Sequence, residues 1–313
     1  MTGETLHVHF LGTAGAMPST ARNPPCIMIR RGSDTLLFDC GEGAQQQMMR
    51  AKTGFVVDAI FITHWHADHF LGIFGLLQTL SFMGRVEPLE IFGPRGCSDF
   101  IVSLNQIGPL RPRFPIEGRD LSAGDRVEFG GYHVEALPAQ HNTPCLGYLL
   151  REDARPGRFD RERAIELGVP PGPLFGRLQR GECVRIARGD AWIEIRPQDV
   201  LGPERPGRAI VYSGDTRPFF THYGPAALEP DLLIHDATFD DGEIERAREA
   251  FHSTAGEAGQ AAAYLQAKML TLVHISSRYT TTGTHTRDAR KYFPGDVRTP
   301  QDLTMLEIHF RDR

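Results

Sequence analysis

The sequence predicts a mixed α/β protein built as a four-layer αββα sandwich, with two β-sheets face to face and helices over both outer faces. Three observations lead there. Two successive series of short apolar runs alternate with helical stretches, the pattern of a layered domain. The 313 residues are 41% hydrophobic and 23% charged, which is globular composition with enough apolar material for a core. No repeat of fixed period is visible, so solenoids and propellers are set aside. Residues 1–313 are read as one domain.

The elements follow in order. "LHVHFLG" reads as a strand; after the loop "TAGAMPSTARNPP", the stretch "CIMIRRGSDTLLFDCGEG" reads as two strands around a Gly-Ser-Asp turn, a β-meander. "AQQQMMRAKTG" has helical residue types and a terminal glycine, "VVDAIFITH" is a buried strand, and "FLGIFGLLQTLSFMG" has the apolar density of a buried helix. Strands are expected at "PLEIFGP", "RVEFGGYHVEALPA" and "LGYLLRE". Residues 151–190 differ, being rich in Arg, Gly and Pro. Between 151 and 188 nine arginines stand against six acids, a balance of +3, which predicts an inserted basic arm. Strands resume at "AIVYSGD" and "DLLIHDATF", then a helix at "AGEAGQAAAYLQAKM" and a strand and loop at "LTLVHISSRY". The stretch "TTTGTHTRDARKYFPGDVRTP" has little regular pattern and receives no functional reading.

Composition excludes some classes. A net charge of -5 argues against a protein that coats nucleic acid over its whole surface, while leaving room for a local basic patch. No apolar run is long enough to span a membrane, and the first residues lack a signal-peptide pattern, so a cytoplasmic protein without a membrane partner is expected. The five cysteines are scattered, without a C-x-x-C pair, and read as reduced, buried, small hydrophobes.

The chemistry is concentrated in "ITHWHADHFLG", on a strand-to-helix turn. His64 and His66, one residue apart, can reach the same ion, and Asp68 and His69 point onward to a second. Zinc suits a mixture of imidazole and carboxylate, and a catalytic ion keeps one position open for water. Further ligands must come from other strand ends, where His141, Asp215 and His274 each follow an apolar run; Asp215, the one acid among the three, suits a bridge between two ions. His7 and His9 repeat the H-x-H spacing inside a strand with no following Asp-His and are read as structural, as is His133. Asp39, ahead of Gly-x-Gly, is read as organising a turn and orienting ligands. "GTAGA" lacks the glycine spacing of a dinucleotide fingerprint.

With these stretches in hand, the chain resembles the metallo-β-lactamase superfamily and, within it, the short-form tRNase Z (ribonuclease Z) family. The histidine motif marks the superfamily. The arm ("GRFD" and "LGVPPGPLFGRLQRGE") with "LLIHDATF", "HSTAGEA" and "HISSRY" marks the family. The resemblance implies a metallo-β-lactamase αββα sandwich with an inserted flexible arm. It implies two zinc ions per subunit, with Mn2+ or Fe2+ possible. One is held by His64, His66 and His141, the other by Asp68, His69 and His274, with Asp215 between them. It implies that Asp68 contributes general-base function and that His252, paired with Asp236, assists proton transfer to the leaving oxygen. Many relatives have Glu where this chain has Asp236, a methylene shorter. Ser276, Ser277 and Arg278 suit a phosphate beside the metals. The implied activity is removal of the 3' trailer from precursor tRNA by in-line attack of a water between the ions, leaving a 3'-hydroxyl on the tRNA and a 5'-phosphate on the trailer. The arm is expected to grip the tRNA elbow and to serve the partner's site in a homodimer. Two competing readings are a small-diester phosphodiesterase, which would not need the arm, and a non-catalytic RNA-binding protein, against which the complete ligand set argues.

Overall fold

The computed structural model of the protein describes residues 4–104, 106–107, 112–189 and 191–310; residue 190, the last of the expected arm, lies outside them. The chain divides into two compact units, residues 1–151 with 208–313, and residues 152–207.

The larger unit contains two seven-stranded sheets among the described residues. The first is built from β1 (Leu6–Gly12), β2 (Cys26–Arg31), β3 (Asp34–Phe38), β4 (Ala59–Phe61), β5 (Leu89–Gly93) and β6 (Ile116–Asp120), and β16 (Thr304–Glu307) lies beyond β1. The antiparallel meander β1–β2–β3 continues into parallel β4, β5 and β6. The second sheet takes β7 (Arg126–Phe129), β8 (Tyr132–Pro138), β9 (Leu146–Glu152), β12 (Ala209–Tyr212), β13 (Leu232–Asp236), β14 (Met269–Val273) and β15 (Asp296–Arg298), in the order β15-β14-β13-β12-β9-β8-β7.

Alternation along the strands sets the layers, because successive side chains of a strand point to opposite faces. Ile27, Ile29, Leu36 and Phe38 join one core with Tyr148, Ile210 and Ile234 from the second sheet. Their neighbours Met28 and Leu37 face the other way, against Met48 of α1 (Ala44–Ala51), Leu76 and Leu80 of α3 (Gly72–Phe82) and Ile101 of α4 (Cys97–Leu104). Leu149, Val211, Leu233 and Leu272 similarly meet the alanines of α8 (Ala255–Tyr264). The four layers read from the sequence are therefore present. No helix among the described residues is long and apolar enough to cross a membrane.

Several details differ from the sequence reading. The helix expected from Phe70 is preceded by a short α2 (Ala67–Phe70), which takes up Asp68 and His69. The stretch assigned no pattern holds α9 (Gly283–Arg290) and β15. Its helix is polar and begins at glycine, so propensity conceals it, and packing on α8 supports it instead. A Cβ on Gly259 of α8 would lie 2.4 Å from the Ala289 carbonyl oxygen, so only glycine allows that approach.

The smaller unit has its own core, with Ala164 of α5 (Arg161–Glu166) and Leu178 of α6 (Pro173–Gln179) packed with Val184, Ile186 and Ile195. It extends beyond the segment marked by composition because β10 (Val184–Arg188) pairs with β11 (Ala191–Ile195). Over 152–207 there are ten arginines and ten acids, so the unit is neutral. Arg177 and Arg180 both pair with Glu182, at 2.9 and 3.1 Å, and Arg163 pairs with Glu166 at 3.1 Å. The excess of arginine over 151–188 is therefore balanced within the folded unit.

Candidate metal centre

Strand ends supply the donors. His64 follows β4, and His66 stands at the N-cap of α2, whose first turn carries Asp68 and His69. His141 follows β8, Asp215 follows β12 and His274 follows β14. β12, β13 and β14 are mutually parallel, so their C-terminal ends share one edge of the sheet. His274 sits at φ 60°, a left-handed conformation that a β-strand cannot continue. Beside it, a Cβ on Gly15 would come within 3.2 Å of His274 Nδ1, which explains a glycine in "GTAGA" by close approach.

The seven donors read from the sequence are gathered into overlapping groups, each with its ligand atoms within 4.8 Å of one another. In the first, His66 Nδ1 lies 2.9 Å from His64 Nε2 and 3.3 Å from His141 Nε2. In the second, Asp68 Oδ2 lies 3.4 Å from His69 Nε2 and 3.5 Å from His274 Nε2. Asp215 Oδ2 approaches members of both, at 3.7 Å from His64 Nε2, 3.3 Å from His69 Nε2 and 3.2 Å from His274 Nε2.

Neighbouring side chains decide which nitrogen of each ring faces inward. The Thr63 hydroxyl donates to Asp39, 3.0 Å away, so at its 3.0 Å contact with His64 Nδ1 the hydroxyl must accept and the ring must donate. That leaves the lone pair of His64 on Nε2. The same relay recurs across the site: Thr238 Oγ1 donates to Asp236 Oδ1 at 2.7 Å and contacts His274 Nδ1 at 2.8 Å. His69 Nδ1 donates directly to Asp39 Oδ2 at 2.8 Å, and His141 Nδ1 donates to the Phe251 carbonyl at 3.0 Å. In all four, Nε2 is the donor available to a metal, the usual arrangement around metal-bound histidine. Asp39 also accepts the Tyr212 hydroxyl at 2.8 Å, so this acid before Gly-x-Gly fixes the His69 ring and the Thr63 hydroxyl. Asp39→Asn is expected to lower metal affinity by about 10- to 100-fold, measured by chelator competition; unchanged affinity would remove it from this role.

Electrostatics fit a cation. Burial holds His64, His66 and His141 below the ordinary histidine range, so they are neutral with lone pairs exposed. Burial works against charge on His69 as well, but Asp215 and Asp39 outweigh it and raise its pKa, so that in the absence of an ion the ring holds the proton that a metal would displace from Nε2. At Asp215, burial is outweighed by His274 and His69, which keep the carboxylate ionised. His69 Nε2 and His274 Nε2 are buried without a hydrogen bond. Two orphaned buried nitrogens beside two carboxylates are costly unless something positive stands among them. The donor set therefore fits divalent metal.

At the rim, His252 Nδ1 lies 3.0 Å from Asp236 Oδ2, so the shorter acid still reaches the ring. Asp236 is fully buried at the end of β13 and accepts from the backbone of Thr216, Thr238 and Ser253. Burial alone would depress the pKa of His252, but Asp236 and Asp215 push it up to about 9. Ser276 follows the ligand loop and its hydroxyl accepts from Arg278 Nε at 3.3 Å. Arg278 is tied to Glu243 at 3.5 Å and lies over the Phe239 ring, while Ser277 is exposed. None of these three belongs to the donor groups. Sequence reasoning passed over Thr63, Thr238, Tyr212 and Arg217. For Thr63 the adjacent His64 was a usable signal; for the others the relevant contact is distant in sequence.

Comparison with known proteins identifies the family. Residues 19–155 match the metallo-beta-lactamase superfamily, and residues 194–275 match a beta-lactamase superfamily domain. Ribonuclease Z of Methanosarcina acetivorans is 51% identical over 308 residues, covering 98% of this chain and 99% of the relative. That of Myxococcus xanthus is 46% identical, with the same coverage of 98% and 99%. Human tRNase Z, short form, superposes with a TM-score of 0.67 at 26% identity, over 97% of this chain and 100% of that one. A metallo-beta-lactamase fold protein from Bacillus subtilis, at 19% identity and TM-score 0.65 over 97% and 99% of the two chains, shares the fold. On the ligand geometry, the layered sheets and full-length relatives together, the chain belongs to the ribonuclease Z family of the metallo-beta-lactamase superfamily.

Proposed function

We propose that the protein is a metal-dependent endoribonuclease that removes the 3' trailer from precursor tRNA, leaving a 3'-hydroxyl on the tRNA and a 5'-phosphate on the trailer. The observation that carries this reading is Asp215 Oδ2, one carboxylate oxygen shared between His64 at 3.7 Å and His274 at 3.2 Å, hence between two donor groups. The likeness to ribonuclease Z and to human tRNase Z supports the substrate class. His64, His66 and His141 would hold one ion, Asp68, His69 and His274 the other, and Asp215 both. Zinc fits this donor set, and Mn2+ or Fe2+ could occupy it. Two such ions would supply Lewis acidity towards the attacking water and the charged oxygens of the scissile phosphate.

The chain's residues do the rest. Asp68, held ionised against burial by His274 and His69, accepts the proton of the attacking water. His252, protonated and braced through Nδ1 by Asp236, gives a proton to the 3' oxygen as it leaves. Arg278 is positioned to meet a flanking phosphate if it releases Glu243. The test is cleavage of a labelled precursor tRNA by protein of known metal content, beside a small phosphodiester. A single cut near the acceptor end supports the reading, and turnover of the small diester alone refutes the RNA assignment.

The smaller unit is read as the tRNA-gripping arm. Its ends meet at an antiparallel bridge between Arg155 and Arg205, so residues 156–204 can be excised and the gap closed with a short linker. Losing one or two charge-assisted hydrogen bonds weakens precursor binding by about 10- to 100-fold, while small-diester hydrolysis stays unchanged. Equal precursor cleavage by the excised protein would overturn the arm reading. The family also implies a homodimer, which sedimentation checks directly.

A further inference from the structure

We propose that Arg217 is a positioning residue that holds His252 in place for proton donation, through its grip on the His252 carbonyl. This rests on reading His252 as the proton donor.

The backbone around His252 needs holding. Phe251 sits at φ 58°, a left-handed conformation that costs a non-glycine residue and persists where neighbours impose it. The contacts on this turn come from three directions. The Phe251 carbonyl receives His141 Nδ1 at 3.0 Å. Ser253 N–H donates to Asp236 at 3.2 Å, and the Ser253 hydroxyl donates to the Thr216 carbonyl at 2.6 Å. The His252 carbonyl receives Nη1 of Arg217.

Arg217 is itself clamped. Its guanidinium meets both carboxylate oxygens of Glu257, with Nη1 at 2.9 Å from Oε2. Glu257 in turn accepts Thr254 N–H at 2.9 Å in the capping box that starts α8. The Arg217 N–H donates to the Gln140 carbonyl at 2.8 Å, next to His141. Two residues after Asp215, the backbone of Arg217 thus ties its loop to the His141 loop, and its side chain ties that loop to the turn that carries His252 and to the start of α8. The side chain is 13% exposed and both of its terminal nitrogens are engaged by protein, so it braces the donor instead of contacting substrate. A planar fork serves Glu257 and a carbonyl together, which the point charge of lysine cannot do with the same geometry.

Arg217→Lys preserves a cation beside buried Glu257 and so avoids an unpaired buried charge. The variant is expected to retain metal content and KM for precursor tRNA while kcat falls by about 100-fold, the lower range for general acid catalysis. The decisive comparison uses a precursor with sulfur in place of the 3' leaving oxygen, since a thiolate departs without a proton. On that substrate Arg217→Lys and His252→Ala should both come within a few-fold of the unaltered protein. If His252→Ala recovers and Arg217→Lys does not, Arg217 acts elsewhere and the proposal falls. Loss of bound metal in Arg217→Lys would also overturn it, by showing that the residue supports ligands. If His252→Ala itself fails to recover, the proton-donor reading fails and takes this inference with it.

Discussion

Asp215→Ala is expected to yield a folded chain that no longer retains its full complement of metal and barely cleaves precursor tRNA. Asp215 Oδ2 approaches members of both donor groups, and His274 and His69 keep the carboxylate ionised in spite of burial. Without it, each group is reduced to three protein donors with no common one, and the Nε2 atoms of His64, His69 and His274 lose a carboxylate oxygen 3.7, 3.3 and 3.2 Å away. Metal-supplied stabilisation is worth several kcal/mol, and about 1.4 kcal/mol is a factor of ten, so cleavage should fall by roughly 1000-fold or more. Elemental analysis and single-turnover cleavage on the same preparation check this. A variant that kept two ions per chain would refute the bridging assignment.

Asp236→Asn should reduce kcat by about 100-fold or more while precursor binding is retained. The carboxylate has no spare oxygen. Oδ2 accepts from Thr216 N, Ser253 N and His252 Nδ1, and Oδ1 accepts from the amide and hydroxyl of Thr238. An amide must turn its NH2 towards one of these sets of donors. If it faces His252, it no longer favours the protonated ring; if it faces Thr238, it disturbs the relay that sets the ring nitrogen of His274. A thermal unfolding measurement separates lost stability, expected from a donor left unsatisfied in the core, from lost turnover. Full kcat in Asp236→Asn would contradict proton donation by the His252 pair.

These two residues were not equally legible. Asp215 announces itself as an acid just after the apolar run "AIVY", and a carboxylate there has few bland roles. Asp236 lies inside "LLIHDATF", where an acid could simply have ended a strand, and only the resemblance to ribonuclease Z drew attention to it. Its reach to His252, questionable for a side chain one methylene short, depends on the backbone of 251–254 being brought close, which no local pattern encodes. The arm shows the opposite failure. Composition marked a positive segment, but the pairing of β10 with β11 extends the unit to Glu194, Asp199 and Glu204, and over 152–207 arginines and acids balance.

The sequence by itself determined the layered architecture and the identity of the seven metal-ready donors. Both are written locally: alternating apolar residues assign strand faces, and crowded histidines and acids follow apolar runs that must end at a sheet edge. Tertiary structure alone decided which nitrogen of each histidine faces inward and what braces His252. Those outcomes depend on hydrogen bonds between residues far apart in the chain, such as Asp39 with His69, Thr238 with His274 and Arg217 with His252. Hydrogen bonds of that kind form only after the two sheets have packed, because a polar side chain acquires a fixed partner when burial removes water as the alternative.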